Sequence, residues 1–220
     1  MAQNRLTRND IVRAAITFVD AHGLDALTMR RLGHYLGVEA MALYRHVSGR
    51  EDLLEAMVEA LIDSLFENEL MKQTPSSWED YLQRVANTTK DLAYDHPGIF
   101  PLIATQPARA PWLRPPLRSL RWVEEFLSNL QRFGFSDAGA VGAYKSFTSF
   151  LIGDLLLQVH STSFAVIDED EHGRTDDDSD LTEYPTVNAL SDLLSEDHRQ
   201  RQFDDALDEL IERIRLSPTN

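Results

Sequence analysis

Between Thr28 and Arg50 the chain carries a set of side chains suited to one chemistry, hydrogen bonding to the base edges and phosphates of a DNA duplex. An arginine such as Arg45 can donate two parallel hydrogen bonds to a guanine edge. Tyr44 and His46 can bond a phosphate, and Ala40, Met41 and Ala42 can touch a thymine methyl. Thr28 and Arg30 would flank the groove, and Arg50 would meet backbone phosphate from the other side. The plainer alternatives are that Arg45 is a solvated charge and that Tyr44 and His46 merely cover the domain surface.

Those side chains act together only if two short helices hold them. Thr28 can cap the first helix by accepting an orphan backbone N–H, and Met29, Leu32 and Leu36 then share one face at helical spacing. Gly37 supplies the left-handed stop, Val38 plugs the corner, and Gly33 lets the second helix approach closely. That second helix, residues 39–47, is anchored by Leu43 and Val47 and turns residues 40, 41, 42, 44, 45 and 46 outward. The pattern is a helix-turn-helix. A preceding helix over residues 7–22 braces it, with Thr7 as cap, Gly23 as stop and Ile11, Ala15, Phe18 and Val19 on one face.

Composition bounds the rest. The chain has 220 residues, 43% of them hydrophobic, which suits a small head and a larger helical body with its own core. Without cysteine it has neither disulfides nor a thiolate metal site, so a reducing cytoplasm is the expected setting. No apolar run reaches the length of a membrane span, and the polar start lacks a signal-peptide core. The net charge of −15 argues against nucleic acid until it is divided. Residues 1–50 hold seven Arg against four acids, a net +3, whereas residues 51–220 hold fourteen cations against thirty-two acids, a net −18. A basic head on an acidic body would orient the molecule toward a duplex.

From Gly49 a long helix is expected, with Leu53, Leu54, Met57, Val58, Leu61, Ile62, Leu65 and Phe66 at periods of three and four. It is long enough to join two domains and to transmit a tilt between them. Ser76 and Glu79 form a candidate capping box for the next helix, which ends at Pro97 and Gly98. The proline-rich stretch that follows reads as a short helix and an irregular loop. A further helix closes at Gly134, and Ser136 opens one over residues 137–160 whose apolar face is broad enough to meet a second subunit. The last helix, residues 200–216, repeats the theme, and Phe203 and Leu210 are expected in a four-helix dimer interface.

Residues 168–183 hold nine acids and one arginine and read as a solvated loop. Asp168, Asp170 and Gly173 suggest a calcium loop, but His172 and Ser179 occupy ligand positions, so no metal is assigned. No cofactor site, HExxH, phosphate-cradling glycine loop or GxSxG elbow is present, and Asp204 with Asp208 reads as a solvent-facing pair, so an enzyme is only a distant alternative.

Thr28, Leu32, Gly33, Leu36, Gly37, Val38, Leu43, Tyr44, His46, Arg50 and Leu54 together resemble the TetR family of bacterial one-component repressors. The resemblance implies that Arg30 reads a base, that Tyr44 and His46 contact phosphate, and that Arg50 stands for the family's phosphate-binding lysine. Ala40, Met41 and Ala42 depart from the best-known tetracycline-type members, so the operator does not carry over. Where those members bind drug and magnesium through histidines and a carboxylate, this chain has Phe66, Leu102 and, near the carboxylate, Leu157, which implies a more apolar ligand.

The resulting expectation is an all-α homodimer with no membrane association. Residues 1–50 would form a three-helix DNA-binding domain, and residues 51–220 a larger helical domain for ligand binding and dimerisation. It would repress transcription from operator DNA until a small-molecule effector enters a cavity lined in part by Phe66, Trp78, Leu82, Trp112, Trp122, Phe126, Phe147 and Phe150. For any one of these aromatic and aliphatic residues the plainer role is packing in an ordinary core. An activator, or a ligand-independent DNA-binding protein, would share the same head.

Overall fold

The computed structural model describes residues 6–105, 113, 119–171, 183–196 and 198–216, with backbone alone for residues 161–171. Among them there is no strand. The helices are α1 (Arg8–His22), α2 (Met29–Tyr35), α3 (Ala40–Leu43), α4 (Arg50–Glu67), α5 (Glu69–Lys72), α6 (Trp78–Asp95) and α7 (Phe100–Thr105). They continue with α8 (Leu120–Arg132), α9 (Asp137–Glu171), α10 (Pro185–Ala189), α11 (Ser191–Ser195) and α12 (Arg199–Leu216), and a 3-10 turn, Leu24–Ala26, lies between α1 and α2.

Local sequence sets the ends of α1. The Thr7 hydroxyl accepts the Asp10 N–H at 3.2 Å while the Asp10 carboxylate accepts the Thr7 N–H at 3.0 Å, a reciprocal capping box. Gly23, at φ 77, ends the helix as expected. Ile11, Ala15, Phe18 and Val19 are buried where α1 packs on α4 and α2, and Leu27, Leu32, Leu43 and Val47 are buried in the same cluster. This is the small core of the head.

From Arg50 to Glu67, α4 carries that core on into the C-terminal part, and the buried residues of both form one continuous cluster. Leu53 and Leu54 are buried at its head end, and Met57, Val58, Leu61, Ile62 and Leu65 continue the stripe, so one rigid element belongs to both parts. The C-terminal part packs α6, α8 and α12 around α9. Phe126 is its centre, in ring contact with Tyr81, Tyr144 and Phe147.

Several expectations are corrected. The N-cap of α6 is Ser77, whose hydroxyl accepts the Asp80 N–H, while the neighbouring Ser76 bonds the Asp80 carboxylate from outside the helix. The helix expected over 137–160 continues to Glu171, so Asp168 and Asp170 stand on its last turn instead of in a loop; residues 172–182 lie outside the described residues. Extending a helix already nucleated fixes one residue per hydrogen bond, which outweighs the weak preference of its C-terminal end against acids. Phe203 does not face outward. It is fully buried, stacked on Phe150 at 5.9 Å, with the Lys90 ammonium 4.9 Å from its ring centroid. The apolar stripe of α12, Phe203, Leu207, Ile211 and Ile214, is buried within its own chain.

Candidate nucleic-acid interface and effector cavity

The corner between α2 and α3 is built as the glycines require. The Thr28 hydroxyl caps α2 by accepting the Arg31 N–H at 3.2 Å, which leaves its own O–H able to donate to a phosphate. Gly37 takes φ 68, and the Val38 N–H reaches back to the Gly33 carbonyl at 2.9 Å, closing the helix end. At Gly33 a Cβ would lie 3.0 Å from the Val38 oxygen and 3.2 Å from the Ala40 Cα, both of them backbone, so a side chain there would have to push the corner open by a few tenths of an ångström.

The second helix is shorter than residues 39–47. Regular α-structure spans Ala40–Leu43, and the Ala42 N–H to Glu39 and His46 N–H to Leu43 bonds, 2.8 and 2.9 Å, are of the tighter i to i+3 kind. Leu43 and Val47 nonetheless anchor it inward, fully buried. Met41 is 73% and Tyr44 46% exposed, Arg45 is exposed, and Ala40 and His46 are half-buried on the same outward side. Arg30 is exposed on α2, whereas the neighbouring Arg31 lies over the Phe18 ring at 5.6 Å.

Arg50 is placed differently from a free phosphate ligand. Its guanidinium is half-buried and donates to the Leu27 carbonyl at 3.2 Å and to the Leu24 carbonyl at 3.5 Å, closing the 3-10 turn on the head of α4. A second arginine contact was not legible in advance. Arg8 donates to both Asp52 oxygens, at 2.5 and 3.0 Å, and to the His46 carbonyl at 2.8 Å, and Asp52 also accepts the Ser48 N–H at 2.7 Å. This clasp ties the first turn of α1 to the exit of α3 and the start of α4. Bonding to Arg8 and Ser48 holds the Asp52 carboxyl well below the usual carboxylate range.

In the body the proposed effector residues divide. Phe66 meets Trp122 edge to face at 6.2 Å under the Arg121 guanidinium. Leu82, Phe126 and Phe147 are fully packed. Trp78 pairs with Phe135, Phe150 pairs with Phe203, and Trp112 lies outside the described residues. Leu157 is 74% exposed, and Leu102 is half-buried.

Of the eight, Trp122 opens on an apolar cavity of about 20 Å³, lined also by Ile62 and Leu65 of α4, Thr89 and Leu92 of α6, Ile103 of α7, and Thr148, Leu151 and Ile152 of α9. Phe66 borders a separate cleft of about 60 Å³ with Tyr81, Arg84, Glu125 and Asn129. A wider groove of about 490 Å³ lies along α8 and α9, lined by Leu120, Val123, Leu127, Val141 and Tyr144, with Glu124 and Lys145 at its edge. Burial pushes the Tyr144 hydroxyl up to about 12, so it is protonated at any physiological pH.

The body also touches the head away from α4. His96, at the end of α6, has its Nδ1 2.9 Å from an Asp20 carboxylate oxygen on α1, and Gly98 lies against Val19.

A helix-turn-helix with an outward reading face, joined through one shared helix to a larger helical bundle, defines a two-part DNA-binding regulator. The family model for bacterial regulatory proteins of the tetR family matches residues 11–57, and that for the tetracyclin repressor-like C-terminal domain matches residues 72–216. The chain belongs to the TetR family, whose members are DNA-binding transcription regulators and not enzymes.

Among its relatives, the tetracycline repressor protein class A from transposon 1721 of Escherichia coli is 29% identical over 214 residues, 96% of this chain and 91% of that one. The HTH-type transcriptional repressor DrrR1 of Streptomyces coeruleorubidus is 28% identical over 160 residues, 70% of this chain and 54% of that one, so this chain spans about half the length of that relative. The crystal structure of a possible TetR family transcriptional regulator from Streptomyces coelicolor A3(2) superimposes with a TM-score of 0.72 at 25% identity, covering 94% of this chain and 98% of that chain. Among the described residues no helix is long and apolar enough to cross a membrane.

Proposed function

We propose that the protein is a homodimeric transcriptional repressor that holds operator DNA through residues 1–50 and releases it when an apolar small molecule enters the domain of residues 51–220. Thr28, Arg30, Ala40, Met41, Tyr44, Arg45 and His46 form the reading face. Arg50 contributes a phosphate contact only with the N–H groups that its bonds to Leu24 and Leu27 leave over. The observation that carries this reading is the course of α4: Leu53 and Leu54 lie in the core of the head, and Ile62 and Leu65 of the same helix wall the apolar cavity. A molecule that wedges the cavity open must move α4, and α4 must then carry the head with it. An effector shifts the balance of two tilts only by binding one of them more tightly. The repressor names borne by the tetracycline and DrrR1 relatives support the sign of regulation.

Dimerisation would set two heads on successive turns of the duplex. Its support is the outer face of α9, where Gly142, Ser149, Gly153 and Leu157 recur at helical spacing and are exposed, and where a Cβ added at either glycine would meet nothing.

The test is selection of bound fragments from a random duplex library by the purified full chain. Enrichment of an inverted repeat whose half-sites are about one helical turn apart is expected. Recovery of no sequence above background would overturn the reading.

A further inference from the structure

We infer that the effector is an uncharged, largely apolar molecule carrying a hydrogen-bond acceptor such as a ketone oxygen, anchored by the indole N–H of Trp122 and the hydroxyl of Thr148. This rests on the effector reading above and narrows it.

Three buried side-chain polar atoms have no hydrogen-bond partner among the described residues: Thr88 Oγ1, Trp122 Nε1 and Thr148 Oγ1. Two of the three belong to residues that line one small cavity, the one walled by α4; the surface it shows is wholly apolar, so both atoms lie just behind it and meet a guest only when the walls part. Trp122 is only 7% exposed and Thr148 2%. A buried donor without a partner is costly, because folding has taken it from water and returned nothing.

Thr148 had a local way out. A helical threonine can donate to the carbonyl four residues back, and Thr89, which lines the same cavity from α6, does so toward Val85 at 2.7 Å. Thr148 leaves that bond unmade. An indole N–H can only donate, so the group that answers Trp122 must be an acceptor.

The rest of the lining sets the ligand's charge and bulk. Ile62, Leu65, Leu92 and Ile103 are apolar, and no lining residue is ionisable, so an ionised ligand would enter without a counter-charge. About 20 Å³ is room for about one water molecule, so any larger guest must part the walls. One of those walls is α4. The residues that select the ligand therefore line the same cavity as the helix whose displacement would report it.

Fluorene and 9-fluorenone test the inference, since they share a tricyclic skeleton and differ by one ketone oxygen. Calorimetric titration of the full chain should show 9-fluorenone binding about tenfold tighter than fluorene. Trp122→Phe and Thr148→Val should each weaken 9-fluorenone by severalfold and leave fluorene unchanged. Independently of any ligand, Thr148→Val should raise the thermal midpoint, because it replaces an unanswered hydroxyl by a methyl of the same shape. Equal binding of the two probes with release of operator would overturn the acceptor requirement and leave an apolar effector standing. Failure of 9-fluorenone to bind, or a lowered midpoint for Thr148→Val, would overturn the inference while operator binding by the free protein stays a separate result.

Discussion

His96 and Asp20 join the end of α6 to α1 across 2.9 Å, with both side chains about three-quarters buried. The pair gives the head a second attachment to the body, distinct from the covalent path along α4. Gly98 beside Val19 extends the same contact, and α7, which begins two residues later, contributes Ile103 to the cavity proposed for the effector. Movement of that wall would thus reach the head from two sides.

A double-mutant cycle tests this attachment. His96→Ala and Asp20→Ala should each lower unfolding stability, and the coupling between them should be about 0.5–1.5 kcal/mol, the range of a partly buried polar contact. Operator affinity should shift in the same cycle, since the pair holds the head at one angle. Strictly additive changes in both measurements would mean that the contact biases nothing.

The Arg8 clasp has a pH signature. Asp52 is held below its ordinary range in the folded chain, so it contributes stability that is complete above the unfolded carboxylate value of about 4 and is lost as the pH falls toward the lower folded value. Asp52→Asn should therefore cost about 1 kcal/mol at neutral pH, discounted for the partial exposure of Arg8. The gap between the two proteins should stay level from pH 7 to about 5 and close only below about pH 4. A gap that widens with acid would contradict the assignment.

The parts of this fold that could be read from sequence are those whose causes are local. Gly33, Gly37, Leu43 and Val47 lie within a few residues of the groups they serve, and the corner they build is where spacing put it. The Arg8 to Asp52 contact spans 44 residues, and nothing in either neighbourhood names the partner. Ser76 and Ser77 are both good caps, and only the direction of the chain entering α6 decides between them. The stripe on α12 was legible as apolar, but periodicity does not say whether such a stripe meets its own chain or another. Phe203 met its own. The aromatic residues of the body were visible as a set, yet which of them borders empty space depends on how α4, α6 and α9 diverge.

If α9 forms the dimer contact, the substitution to make is on its outer face. Leu157→Glu alters a side chain with few neighbours in its own chain, so the isolated fold should keep its thermal midpoint to within a degree or two. A charge buried against a second copy lacks a partner there, and the variant should sediment as a monomer at micromolar concentration. Operator affinity should fall with it, because one head spans one half-site. A Leu157→Glu protein that remains a dimer would move the interface elsewhere.

The reading face can be resolved residue by residue because phosphate and base contacts fail differently. Tyr44→Ala removes an exposed group suited to phosphate, and it should weaken binding by a similar factor on every operator variant. Replacing Arg45 with Gln should also flatten the dependence of affinity on salt by about one counterion if that arginine meets phosphate. Arg30 stands apart, since it is exposed at the start of α2 while Arg31 is occupied over Phe18. If it reads a guanine edge, Arg30→Ala should cost about 1–3 kcal/mol and relax discrimination at a single operator position. The measurement is a titration of wild type and variant against a set of operators substituted one base pair at a time. An equal loss across that whole set would make Arg30 a phosphate contact and leave base reading to α3 alone.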